Sequence, residues 1–263
     1  MSVSSPTTAL TEINGLRITE AVIGEGIPLL MLHGWGAHID LLWPLASRLA
    51  PLGYRIYMLD LPGFGASDLP PVAWSVHDYA DFVLAYLAHH HLDRVHLFGH
   101  SFGGRLSLIL GAEHPEKLYK MVLADSAGIR PKTPLLTRIR LTAYKTLRDG
   151  LNRTGLTRLS DGLRLRYNAR YSSTDFQAVS GVMRETFVKV VNEDLSVFAA
   201  RVKPSTLLLW GDQDQDTPLW QAKILEKTIP DAGLVVFSGA GHYSYLDKLP
   251  DTIRVMDYFL KQK

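Results

Sequence analysis

Gly99-His100-Ser101-Phe102-Gly103-Gly104 is bracketed by two segments of opposite character. Arg94 to Phe98 before it is apolar and β-branched, which predicts a buried strand, and Arg105 to Glu113 after it predicts a helix. A serine between them, in the spacing G-x-S-x-G, sits at the apex of a strained strand-to-helix turn. Side chains two residues to either side would collide there, and Gly99 and Gly103 remove them. The helix points its free N–H groups and positive dipole end at Ser101, where they favour a developing oxyanion.

Upstream, Asn14-Gly15 between two alternating runs predicts a β-hairpin over residues 8–23. Leu29 to Leu32 is a wholly apolar strand, as expected where helices cover both faces of a sheet. It runs into the glycine-rich bend His33-Gly34-Trp35-Gly36, and helical spacing follows through Leu42, Leu45 and Leu49. The next strand, Tyr54 to Asp60, leads into the loop Leu61 to Asp68. Ser75 with Asp78 forms a capping-box start for a helix that closes at His89-His90-His91. Consecutive helical residues point about 100° apart, so three histidines in a row do not converge on a metal ion.

Downstream, Leu118 to Ala124 is a strand ending at Asp125. The β/α alternation then stops. Residues 129–203 look mainly helical, with Thr133-Pro134 as a helix start and an apolar stripe at Val182, Phe187, Val190 and Val191. Alternation resumes at the strand Thr206 to Trp210 and the acidic loop Gly211 to Asp216, after which Thr217-Pro218 caps a helix. A last strand, Leu234 to Phe237, runs into Gly241-His242, and a helix from Pro250 closes the chain. Such alternation implies a mostly parallel sheet with helices on both faces, whose sites lie beyond the carboxyl ends of the strands. Trp35, Ser101, Asp214 and His242 each fall just past a strand.

The chain has 263 residues and no cysteine, which excludes disulfides, zinc–thiolate sites and a cysteine nucleophile. The net charge of +2 conceals an asymmetry: residues 129–203 hold 15 Lys and Arg against 6 Asp and Glu, while the remainder holds 13 against 20. Such a shift marks a separate unit. No secretory leader and no apolar run of about 18 residues is visible, so a cytoplasmic protein is expected, with a small-molecule substrate and no nucleic-acid or membrane partner. Nothing in the residues specifies a metal, a cofactor or an oligomeric state.

Taken together, His33-Gly-Trp-Gly36, Asp60 to Ser67, Gly99 to Gly104, Gly211-Asp-Gln-Asp214 with Pro218, and Gly241-His242 resemble the α/β-hydrolase family, in the family's order, from about residue 28 to 262. The resemblance implies an eight-stranded-type sheet built from residues 1–128 and 204–263, with residues 129–203 inserted as a helical cap. It implies a serine hydrolase that cleaves carboxylic esters through an acyl-enzyme. C–C, lactone or amide hydrolysis on the same residues, or a ligand receptor on the same scaffold, are the alternatives. A serine hydroxyl needs a base, and a histidine oriented by a carboxylate supplies it. His242 is the one histidine after the Ser101 helix at a strand end. The family's spacing places the acid at Asp214, with Asp125 as the rival, since some relatives carry the acid there. It assigns the oxyanion-binding backbone N–H groups to Trp35 and Phe102. A serine at the elbow sets aside haloalkane dehalogenases and epoxide hydrolases, which carry aspartate there.

Overall fold

Leu29, Leu30, Met31 and Leu32 are all fully buried, yet they face opposite ways. Leu30 and Leu32 join one apolar cluster and Leu29 and Met31 the other, as the two-residue period of a strand dictates when both faces are covered. The structure is a computed structural model, and it describes residues 5–130, 135–171 and 174–262. The helix start expected at Thr133-Pro134 lies outside the described residues.

Eight strands form one sheet: β1 (Ala9–Ile13), β2 (Leu16–Ile23), β3 (Ile27–Leu32), β4 (Tyr54–Leu59), β5 (Val95–His100), β6 (Leu118–Ala124), β7 (Thr206–Gly211) and β8 (Ala232–Phe237). Their spatial order is β1-β2-β4-β3-β5-β6-β7-β8. The hairpin β1–β2 pairs antiparallel through Ile13 and Leu16, and β2 meets β4 antiparallel. Every other neighbouring pair is parallel. The helices α1 (Ile39–Leu49) and α11 (Leu249–Lys261) cover the face carrying Leu29 and Met31. On the opposite face lie α2 (Val76–His89), α3 (Phe102–Glu113) and α9 (Leu219–Thr228).

The capping box at Ser75 is present: Asp78 N–H donates to Ser75 Oγ at 3.2 Å, and Ser75 N–H donates to Asp78 Oδ2 at 2.6 Å. Val76, Tyr79, Phe82, Val83, Tyr86 and Leu87, which recur at helical spacing, are all buried on one face of α2. Of the three histidines that follow, His90 turns inward, with Nε2 2.7 Å from Glu20 Oε2, and His91 takes a left-handed φ of 53°. Strand order reverses between β3 and β5, which lie side by side although β4 and α2 separate them in sequence. In parallel sheets, ligands bind at that reversal, beyond the strand ends. The bend after β3 and the elbow after β5 both lie there.

Between β6 and β7 the regular elements among the described residues are all α-helices: α4 (Leu135–Arg153), α5 (Thr157–Tyr171), α6 (Thr174–Ala178), α7 (Gly181–Asn192) and α8 (Ser196–Ala199). The last two pack onto the body. Phe187 and Val190 of α7 and Ala199 of α8 are buried. A short helix, α10 (Ser244–Asp247), precedes α11.

Candidate active site

The elbow is tighter than the residue pattern indicated. Strand β5 continues to His100 and α3 starts at Phe102, so Ser101 alone makes the turn, at φ 49° and ψ −104°. That backbone region is disfavoured for any side chain and persists only where the surroundings impose it. They do so here. A Cβ on Gly103 would press into the carbonyl oxygen of Leu32, and one on Gly99 into Ser107 Oγ and the Gly103 carbonyl. Gly103 N–H donates to the His33 carbonyl at 3.0 Å, tying α3 to the end of β3.

Ser101 Oγ lies 3.0 Å from His242 Nε2, and His242 Nδ1 lies 2.9 Å from Asp214 Oδ2. With Nδ1 donating to the carboxylate, Nε2 is left to accept the serine proton. The Asp214 side chain is fully buried and anchored. Its Oδ1 accepts from the N–H groups of Asp216 and Thr217 at 2.8 and 2.9 Å, and the Thr217 hydroxyl donates to Oδ2 at 2.7 Å. Burial works to raise the Asp214 pKa, but its bonds to His242 and Thr217 outweigh it and hold the carboxyl below its ordinary value. For His242, burial works to lower the pKa, and the hydrogen bond and charge of Asp214 reverse the sign, leaving it above the ordinary value.

Asp125 occupies the end of β6, fully buried, and does not reach His242. Its Oδ1 accepts from Gly211 N–H at 2.9 Å, and its Oδ2 from the N–H and hydroxyl of Ser244 at 3.0 and 2.6 Å. It clasps the ends of β6 and β7 to α10, two residues beyond His242. Burial, against the pull of these donors, pushes its pKa up to about 7. Thr217, expected as a helix cap, instead spans the two aspartates, its Oγ1 2.7 Å from Asp214 Oδ2 and 3.0 Å from the Asp125 carbonyl oxygen.

The Phe102 N–H is the first of α3 and has no acceptor within the helix. Among the described residues, neither it nor the N–H of Trp35 enters a backbone hydrogen bond outside the helices and strands. Both residues border the same cavity as Ser101. The Trp35 indole packs edge-on against Phe64, Phe102 and Phe187, with ring centres 4.8, 5.3 and 5.1 Å apart. His33 fixes the bend below it: Nδ1 donates to the Gly34 carbonyl at 2.7 Å, and Nε2 accepts from Leu61 N–H at 3.0 Å. His100 Nε2 donates to the His242 carbonyl at 2.8 Å. Burial drives the pKa of both rings down, to about 4 and about 3, so both are neutral supports.

The cavity measures about 420 Å³, within the range of small-molecule sites. Phe187, Val190 and Val191 of α7 form its apolar wall, the underside of the stripe seen in the sequence. Three lining groups were not anticipated: Arg105, Asp175 and Tyr243. Arg105 alone left a trace in the sequence, as a charge within the apolar body of a helix whose other charge, Glu113, falls at its end. Asp214, Asp216 and His242 place ligand-type atoms within 4.8 Å of one another, but two of them are already bonded together.

A family model described as alpha/beta hydrolase fold matches residues 27–249. A 2-hydroxymuconate semialdehyde hydrolase from Pseudomonas sp. (strain CF600) is 30% identical over 244 residues, covering 89% of this chain and 86% of its own. Lipase 1 of Psychrobacter immobilis is 26% identical over 266 residues, covering 93% and 80%. Among solved structures, an esterase from Exiguobacterium antarcticum superposes with a TM-score of 0.75 at 22% identity, covering 97% of this chain and all of that one (100%).

Proposed function

The chain belongs to the alpha/beta hydrolase fold family, and from that premise we propose that it is a serine hydrolase acting on carboxylic esters. The observation that carries this reading is the unbroken line Ser101 Oγ–His242 Nε2, 3.0 Å, and His242 Nδ1–Asp214 Oδ2, 2.9 Å, at the floor of a small-molecule cavity. Ser101 Oγ attacks the ester carbonyl carbon while its proton passes to His242 Nε2. The resulting oxyanion accepts from the N–H groups of Trp35 and Phe102. Collapse breaks the acyl–oxygen bond, and His242 returns its proton to the departing alcohol. Water then attacks the acyl-enzyme by the same route, releasing the acid and restoring Ser101. Asp214 keeps the tautomer and steadies the imidazolium. Residues 129–203 act as the cap that shapes the cavity through α7.

A relative 30% identical is a 2-hydroxymuconate semialdehyde hydrolase, so C–C cleavage on the same residues is the second reading. Steady-state assays on p-nitrophenyl acetate and butyrate, beside a vinylogous 1,5-diketone, separate them. The ester reading expects many turnovers of the esters per enzyme. Turnover of the diketone alone supports C–C cleavage, and a single slow turnover of the esters supports a ligand receptor.

A further inference from the structure

Arg105 stands one turn beyond Ser101 on α3, in a stretch from Phe102 to Gly111 that is buried throughout. It is only 8% exposed, and it lines the cavity. Among the described residues it is the only Lys or Arg that does so. Of its five N–H donors, one, on Nη1, donates to the Glu193 carbonyl at the end of α7, 3.0 Å away. Glu193 and Asp194 act on its charge through space without forming an ion pair with it. Burial lowers its pKa to about 10, which leaves it charged at neutral pH. A buried cation without a contacting anion is costly, and the carbonyl end of α7 meets only part of that cost. The remaining donors suit a ligand carboxylate, which a guanidinium grips with two parallel bonds.

The other charges in the cavity orient such a ligand. Asp216 lies beside His242 and Asp214, and Asp175 of α6 feels the charges of both Asp216 and His242. The His242 side of the cavity is therefore acidic and repels an anion. The leaving alcohol departs on that side, because His242 must protonate it. An anionic group on the substrate thus belongs to the acyl half.

We propose that Arg105 anchors a carboxylate on the acyl chain, so that the substrate is a half-ester of a dicarboxylic acid. The assignment rests on the ester-hydrolase reading above. The test compares monomethyl adipate with methyl hexanoate by acid release, in the wild type, Arg105→Gln and Arg105→Lys. The wild type is expected to favour monomethyl adipate in kcat/KM by about 10-fold or more, the yield of a charge-assisted pair. Arg105→Gln is expected to lose about 10- to 100-fold on that ester, chiefly through KM. Its loss on methyl hexanoate should be less than a tenth as large, and Arg105→Lys should recover part of the preference. Equal losses on both esters, or a wild-type preference for methyl hexanoate, would mean that Arg105 only holds the end of α7, and would overturn the proposal. Calorimetric titration of monomethyl adipate into Ser101→Ala, with and without Arg105→Gln, reads the anchor without turnover. Binding lost with Arg105 supports the anchor even if no ester is hydrolysed, an outcome that removes the ester reading instead. Binding indifferent to Arg105 removes the anchor alone.

Discussion

Ser101→Ala is expected to lower ester turnover by up to about a million-fold, equivalent to about 8 kcal/mol of barrier. The magnitude follows from the nucleophile's place in a unit. Without Oγ, His242 has no proton to take and Asp214 has no imidazolium to steady, so one deletion silences all three. The fold is expected to survive. Among the described residues Ser101 Oγ makes its one side-chain bond to His242, and the backbone of the elbow is held by Ser101 N–H to the Ala124 carbonyl at 3.1 Å and by Gly103 N–H to the His33 carbonyl. Steady-state kinetics beside a thermal melt checks both halves. A folded variant that keeps more than about a hundredth of wild-type turnover would remove Ser101 from the chemistry.

Asp214→Asn is expected to cost about 10⁴-fold in kcat. The amide nitrogen cannot accept the His242 Nδ1 proton, so the ring loses the tautomer that leaves Nε2 free. The pH profile adds a signature. In the proposed mechanism only neutral His242 serves as base, so the acid limb of kcat/KM is expected to report its protonation. In the wild type the hydrogen bond and charge of Asp214 outweigh burial and raise the His242 pKa, so the limb is expected above the ordinary imidazole value. In Asp214→Asn that charge is gone, and the limb moves to lower pH. Asp125→Ala should behave differently. It strands three buried donors, from Gly211 and Ser244, at about 1–3 kcal/mol each. Its loss appears as a melting temperature lowered by many degrees. If Asp125→Ala stays folded and loses turnover while Asp214→Ala keeps it, the two roles are exchanged.

The mostly parallel sheet and the glycine-flanked turn at Ser101 were legible because local patterns dictate them. The glycines at 99 and 103, the all-apolar run at 29–32 and the Asn14-Gly15 turn each admit few conformations. Elements joined by short connections also have few places to go. The positions of Asp214 and His242 just past strand ends were legible from the alternation and the family spacing, and the structure brings the two side chains to 2.9 Å. What the sequence did not disclose depends on contacts between distant segments. Thr217 carries every local mark of a helix cap, yet its hydroxyl is drawn to two aspartates, one of them 92 residues away. Asp125 satisfies the positional rule for an acid as well as Asp214 does. Only the place of Ser244 shows that its donors lie elsewhere. Arg105 reads as an oddity on an apolar helix until the cavity and the end of α7 are beside it.

In the proposed reaction Ser101 carries a covalent acyl intermediate, and mass spectrometry of the protein treated with a fluorophosphonate ester reads that bond at the serine itself. The reagent places a phosphorus centre where the acyl carbon would sit, and fluoride leaves as the serine bond forms. The expected result is one adduct per chain, carried by the peptide containing Gly99 to Gly104, with ester turnover lost in proportion and no adduct on Ser101→Ala. An unlabelled Ser101 in treated protein whose ester turnover is lost, or an equal adduct on Ser101→Ala, would show that Ser101 is not the nucleophile.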